Sequence, residues 1–187
     1  MEFCDFGIEG AFVIRPRVLA DARGSFVKTF HAPDFAEHGL RIDWQEEFYS
    51  VSRRGVIRGL HFQTPPAAHA KLVTCLAGEV IDVAVDLRCG SPTEGKVCSV
   101  TLDEQNGLIL YLPSGIAHGF QSLSEASTML YKVTSAHAPK SDAGIAFDSV
   151  DFDWPVADPT VSDRDRGHPA LADYVSPFIF DPARPSS

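Results

Sequence analysis

Val80-Ile81-Asp82-Val83-Ala84-Val85-Asp86-Leu87-Arg88 alternates with a period of two. Ile81, Val83, Val85 and Leu87 project to one side, and Asp82, Ala84, Asp86 and Arg88 to the other, which is the pattern of a β-strand with one apolar face. Ala77-Gly78-Glu79 ahead of it reads as a turn, with Lys71 to Leu76 as the strand that enters it. Cys89-Gly90-Ser91-Pro92 ends the run. Further on, Lys96 to Leu102 alternates again, Leu108 to Leu112 is a short apolar strand stopped by Pro113-Ser114-Gly115, and Met129 to Thr134 makes another. The helical signal is confined to Ala32 to His38, two turns with Pro33 in the first and Gly39 at the end. Six or more short strands with almost no helix predict an all-β fold, a sandwich or barrel of the jelly-roll kind.

The chain has 187 residues, 44% of them hydrophobic, which suits one ordinary domain with a real core. A single domain is therefore expected over 1–187, with roughly 181–187 as a loose tail. Sixteen basic residues against twenty-five acidic ones leave a formal charge of −9. Nucleic acid and anionic membrane both demand a basic footprint, so neither is expected as a partner. No apolar run approaches the roughly 20 residues that cross a bilayer, and Met1-Glu2-Phe3-Cys4-Asp5 lacks the layout of a secretory signal. A cytoplasmic protein is the expectation. Cys4, Cys75, Cys89 and Cys98 are widely spaced and read as free thiols.

Three clusters could carry chemistry. Arg53-Arg54-Gly55-Val56-Ile57-Arg58-Gly59-Leu60-His61-Phe62-Gln63, followed by His69 and Lys71, sets Arg, His and Lys within one strand pair beside a glycine where a ligand or backbone can approach. A lone histidine is ordinarily a packed one, but a histidine among cations has a pKa worth tuning. Pro113-Ser114-Gly115-Ile116-Ala117-His118 delivers His118 from a turn onto a new strand, in a PxGxxH spacing that matches the second motif of cupin barrels. A cupin metal site would need three or four converging ligands. Gln63 stands where the second histidine of the first cupin motif would be, and His69 is the only spare nearby, so no metal is expected. The third cluster is Met129-Leu130-Tyr131-Lys132, where the Tyr131 phenol is packing unless it faces the same cavity as His61, where it could act as an acid. Ser162-Asp163-Arg164-Asp165 by itself reads as a solvated loop.

At these residues the chain resembles the dTDP-4-dehydrorhamnose 3,5-epimerase family. The likeness runs from Asp21-Ala22-Arg23-Gly24-Ser25-Phe26 to Val161-Ser162-Asp163-Arg164-Asp165. Its most specific pieces are Gly55 to Gln63, Lys71-Leu72-Val73, Asp82 to Arg88 and Ala117-His118-Gly119-Phe120. The resemblance implies a metal-free cupin-type jelly-roll barrel with short flanking helices, no cofactor, and a homodimer that exchanges strands. It also implies epimerisation at C3, C5 or both of a nucleotide-linked 4-keto-6-deoxyhexose. In that reading His61 is the base, Asp165 orients it, Tyr131 is the acid across the ring, and Lys71 stabilises the enolate. His118 lies beside the sugar, while Arg58, with Arg23 from the partner subunit, holds the diphosphate. Arg164 and Asp142 stand where the family has a substrate-contacting lysine and glutamate.

The nucleotide end departs from the family pattern. Lys28 replaces a glutamate that contacts the base, Glu46-Glu47-Phe48 replaces Gln-x-Asn, and Ala136-His137 replaces an aromatic pair. Exchanging glutamate for lysine turns an acceptor into a donor. The nucleobase is left open among dTDP, CDP and GDP. A C3-only epimerase, a ketoisomerase or dehydratase, a sugar-binding cupin without activity and a metal-dependent oxygenase remain as alternatives.

Overall fold

The computed structural model describes residues 1–184 and 186. In chain order its strands are β1 (Glu2–Asp5), β2 (Phe12–Arg15), β3 (Val18–Asp21), β4 (Gly24–Val27), β5 (Glu46–Arg53), β6 (Ile57–Gln63), β7 (Lys71–Ala77), β8 (Glu79–Asp86), β9 (Val97–Asp103), β10 (Ile109–Leu112), β11 (Ile116–Ser122), β12 (Ala126–Val133) and β13 (Asp142–Gly144). Two short helices, α1 (Ala32–Glu37) and α2 (Asp163–Arg166), flank them. One sheet runs β1-β2-β10-β7-β12-β5 and the other β13-β6-β11-β8-β9, with β3 and β4 apart as a hairpin. This is the expected jelly-roll barrel, every strand pair antiparallel.

The alternation of each strand sorts its side chains into three layers. Val73, Cys75, Leu110, Leu112, Met129 and Tyr131 of the first sheet meet Val80, Ala84, Ile116 and Phe120 of the second, forming the barrel interior. Behind the second sheet, Leu60, Phe62, Val83, Val85, Leu87 and Ala117 pack under the C-terminal segment through Ile145, Val150 and Phe178. Behind the first sheet, Ile14, Leu72, Ile109 and Tyr111 pack under Phe35 of α1 and Leu40.

This layering changes the meaning of the β8 pattern. The apolar side of β8 faces outward, under the C-terminal segment, while its polar side faces into the barrel, where Asp82 is 0% exposed and Asp86 1%. The strand also stops at Asp86 rather than Arg88, one step before a last in-register bond from the Leu87 N–H to the Gly115 carbonyl at 3.0 Å. There Arg88 closes a buried ion pair with Asp86 at 2.8 Å.

The hairpin β3–β4 is the exception to the packing. Each strand pairs only with the other, and Leu19 and Phe26 are 51% and 62% exposed. At the C-terminus, Asp181 to Arg184 are exposed, the Tyr111 hydroxyl donates to the Ser186 carbonyl, and Pro185 and Ser187 lie outside the described residues.

Candidate active site

Between the two sheets lies a cavity of about 700 Å³, lined by β5, β6, β7, β11 and β12 and closed on one side by α2. The register across β6 and β11 sets His61 directly opposite His118. Two residues further along, the strands come too close for side chains. A Cβ on Gly59 would lie 2.5 Å from the Gly119 Cα, and one on Gly119 would lie 2.6 Å from the Arg58 carbonyl oxygen. Gly59 also has φ +133°, which L side chains rarely adopt, so both glycines are required by the approach of the strands. The Gly59 N–H is thereby turned to donate to Asp165 Oδ2 at 3.2 Å.

Asp165 arrives from the far end of the chain. Ser162 caps α2, its Oγ accepting the Asp165 N–H at 3.1 Å. The expected solvated loop at Ser162–Asp165 is therefore corrected to a capped helical turn that buries its aspartate. Asp165 Oδ1 lies 2.7 Å from His61 Nε2. Burial acts to raise the Asp165 carboxyl, but its hydrogen bonds with His61, the Gly59 N–H and Ser162 outweigh it and hold the group below the usual carboxylate range. An ionised carboxylate against the imidazole fixes the tautomer and stabilises the imidazolium.

Lys71 Nζ donates to the His61 carbonyl at 2.8 Å. Its burial is complete enough to bring the ammonium down to about 8, opposed by the charges of Asp82 and Asp142. On the same sheet as Lys71, facing the wall of His61, Tyr131 lies parallel to Phe48, 4.9 Å between ring centroids, with Ser50 Oγ 3.4 Å from its hydroxyl. Burial pushes the phenol well above its usual value, so it keeps its proton. His118 Nε2 sits 2.9 Å from both oxygens of Asp82. Burial presses the two partners in opposite directions, the imidazole down and the carboxyl up. Deeper in, His69 is driven down to about 3 by burial and then by the Lys71 charge, so its ring is neutral. A base held by a carboxylate, an ammonium, a protonated phenol and a second histidine therefore face one space, a set suited to moving protons on carbon beside a carbonyl.

A family model described as dTDP-4-dehydrorhamnose 3,5-epimerase matches residues 5–173. The chain belongs to that family. It is 40% identical over 161 residues to a dTDP-4-dehydrorhamnose 3,5-epimerase of Shigella flexneri, spanning 84% of this chain and 89% of that one. It is 39% identical over 176 residues to a dTDP-4-dehydrorhamnose 3-epimerase of Streptomyces niveus, spanning 92% and 85%. Among solved structures, a dTDP-6-deoxy-D-glucose-3,5-epimerase of Legionella pneumophila in complex with dTDP-4-keto-L-rhamnose superimposes with a TM-score of 0.88 at 35% identity, covering 93% of this chain and 94% of that one.

Ten of the residues expected at the site of this epimerase line the cavity: His61, Lys71, Tyr131, Asp165, Arg58, His118, Glu46, Phe48, Asp142 and Arg164. Arg58 reaches two neutral acceptors, Ser52 Oγ at 2.9 Å and the Val51 carbonyl at 3.2 Å, so neither neutralises its charge. Arg164 is paired with Asp142 at 2.7 Å. Glu46 accepts the His137 N–H at 2.7 Å. Arg23 and Lys28 are not brought in. Arg23 sits at the exposed hairpin tip, bound to Asp21 at 2.5 Å, and Lys28 is exposed just after β4, because the hairpin strands pair with each other and join neither larger sheet.

Two further residues beside the site are given no role by the motifs. Asp82 takes its meaning from which face of β8 is inside, which alternation alone does not reveal. His168 follows the α2 cap Gly167, three residues on from Asp165, and no periodicity marks it in the sequence. Its Nε2 lies 3.7 Å from Asp165 Oδ1, and its ring centroid 5.7 Å from that of His61. Burial first, and the His61 charge second, lower its basicity.

Proposed function

We propose that the chain epimerises a nucleotide-diphosphate-linked 4-keto-6-deoxyhexose, of the dTDP-4-keto class named for its relatives. The observation that carries the reading is the His61–Asp165 pair at 2.7 Å, sharing a cavity with Lys71 and Tyr131.

The ketone acidifies the C–H bonds on its two neighbouring carbons. His61 takes such a proton, the C–H electrons move into the enolate, and Asp165 stabilises the imidazolium. The Lys71 ammonium meets the charge that develops on the C4 oxygen, in a site too dry for water to do so. Tyr131 stands on β12, across the barrel from β6, and returns a proton to the opposite face of the carbon, which inverts it. His118, braced by Asp82, lies against the sugar. Arg58 offers the diphosphate an uncompensated bidentate donor, while the Arg164–Asp142 pair stands at the other end of β6, opposite Gln63. Glu46, Phe48 and Lys28 belong to the nucleotide end. The test is incubation in D2O with dTDP-, CDP- and GDP-4-keto-6-deoxyglucose. Deuterium is expected at C3, C5 or both with at least one of them and lost in His61→Ala; no uptake from any of the three would sink the reading.

Inversion at C3 alone is a second reading, favoured by the likeness to the Streptomyces niveus 3-epimerase. NMR of the product separates the two, since deuterium and inversion then stay confined to C3.

A strand-exchanged homodimer is part of the proposal. The hairpin leaves Val18, Leu19 and Phe26 exposed, and the edge strand β5 exposes Tyr49 and Val51. Docking the hairpin on a partner covers those residues and carries Arg23 toward the partner's diphosphate end. Mixing inactive Arg23→Ala and His61→Ala chains is expected to restore activity, because one composite site then has both residues; no recovery on mixing overturns the shared site. No helix among the described residues is long and apolar enough to cross a membrane, and a cytoplasmic setting is proposed with the function.

A further inference from the structure

His168 is not needed by the reaction, yet the fold makes room for it beside the base. A Cβ on Gly144 would lie 2.5 Å from His168 Nε2, and Gly144 is the register partner of His61. Only a glycine there admits the imidazole edge. That same Nε2 is buried and has no hydrogen-bond partner. A buried polar atom left without a partner is unfavourable, and a ligand that engages it relieves this.

What it faces is a ligand set. His61 Nε2, Asp165 Oδ1 and His168 Nε2 all lie within 4.8 Å of one another. The two pairs formed with the carboxylate oxygen measure 2.7 and 3.7 Å. Tetrahedral zinc with bonds of about 2.0–2.2 Å separates its ligand atoms by roughly 3.3 Å, between the two observed values. The two imidazole nitrogens lie within 4.8 Å of each other, so rotation of the two rings about their side-chain bonds would seat the ion. Two imidazoles and a carboxylate are the donors that borderline metals such as zinc select. Three protein ligands leave a fourth position for water.

We propose that His61, Asp165 and His168 form a zinc-binding site superimposed on the His61–Asp165 dyad, so that zinc(II) binding and proton abstraction exclude each other. Zinc takes the His61 nitrogen that now faces Asp165 and holds the ring and the carboxylate in its own coordination geometry. The dyad that stabilises the imidazolium is then gone, and proton abstraction stops. His168 supplies the third ligand, which turns a dyad that binds metal weakly into a site. The inhibitory half of this inference rests on the base assignment under Proposed function; the binding half does not.

The experiment uses full-length, metal-stripped protein titrated with zinc chloride by calorimetry. Cobalt(II) chloride in a parallel titration reports tetrahedral coordination by visible absorption, and deuterium uptake into the keto sugar is followed at each metal concentration. One ion per chain, a cobalt spectrum of tetrahedral type and loss of exchange with the same midpoint are expected. His168→Leu and the milder His168→Gln should each retain uninhibited exchange while weakening zinc by about 10–100-fold. Retained exchange also verifies that both variants fold. Absence of zinc binding, or equal binding by wild type and both variants, overturns the site. Zinc that binds through His168 while exchange continues overturns the superposition on the base and counts against His61 as the base, so the two failures are told apart.

Discussion

His61 meets Asp165 at 2.7 Å and His118 meets Asp82 at 2.9 Å, facing each other across paired strands. The chemistry of the two pairs is the same and their surroundings are not. His118 and Asp82 come from neighbouring strands of one sheet, 36 residues apart, and are 3% and 0% exposed. His61 is 29% exposed, and its aspartate comes from a capped helix 104 residues away. Both imidazoles line the cavity, but His61, the more exposed, can collect a proton from a substrate and release it, whereas the nearly enclosed His118–Asp82 pair is a rigid brace. The partner's origin also matters. A pair within a sheet has its geometry set by the ladder, while α2 holds its aspartate with Ser162 on one side and the Gly59 N–H on the other.

The largest test of this contrast is in the rate. His61→Ala is expected to lower deuterium uptake by up to about 10⁴-fold, the range of a lost general base. His118→Ala should lower it by about 100-fold or less; equal losses would break the distinction between base and brace. Next comes Lys71, which lies beneath both histidines. Lys71→Met should reduce kcat by about 10²–10³-fold, as for a lost oxyanion donor. Because its ammonium is held near 8, wild-type kcat should fall as pH rises through that value.

The same group affects stability with the opposite sign. Its folded pKa of about 8 lies below its ordinary 10.5, so between those values the unfolded chain binds more protons and stability rises with pH. The drop corresponds to about 3 kcal/mol at about 1.4 kcal/mol per unit. Lys71→Met should therefore raise Tm at pH 7 and abolish the rise between about pH 8 and 10.5; a lower Tm would contradict the burial argument.

Stability separates the two pairs in the reverse order of their catalytic effects. Removing His118 strands the Asp82 charge inside the barrel, at a cost of about 3–5 kcal/mol, which is roughly 10 °C in Tm for a chain of this size. His61→Ala should cost about 1 kcal/mol, since Asp165 keeps the Gly59 N–H. Calorimetric scans of both variants decide this. The smallest expected effect on exchange is that of Tyr131→Phe. Deuterium uptake should stay within about tenfold, because His61 still removes the proton, while inversion is lost. Normal inversion by this variant would show that the acid lies elsewhere.

Much of the fold and of the site is legible in the amino-acid sequence alone. The alternating runs at Val80 and Lys96 and the strands read at Lys71 and Met129 mark β8, β9, β7 and β12 to within a few residues, because alternation and turn residues are local properties of the chain. The motifs carrying His61, Lys71, His118, Tyr131 and Asp165 point to one site, and all five line it. Where a loop is expected at Ser162 there is a helix, because four helical residues carry too little periodicity to show themselves. His168 stays hidden because its meaning depends on Gly144, a residue from another strand.

The amino-acid sequence by itself determined the strands, the all-β class and the residue types of the chemistry, all of which follow from spacing along the chain. The tertiary structure decided which side of each strand is inside. Alternation distinguishes two faces without saying which one meets water, and in β8 neither does, since the C-terminal segment covers the apolar face and the barrel encloses the polar one. That closure put Asp82 behind His118 and left His61 open to the cavity. It also left Arg23 out on a hairpin that joins neither larger sheet, since long-range contacts are set by how sheets close and not by any local run of residues.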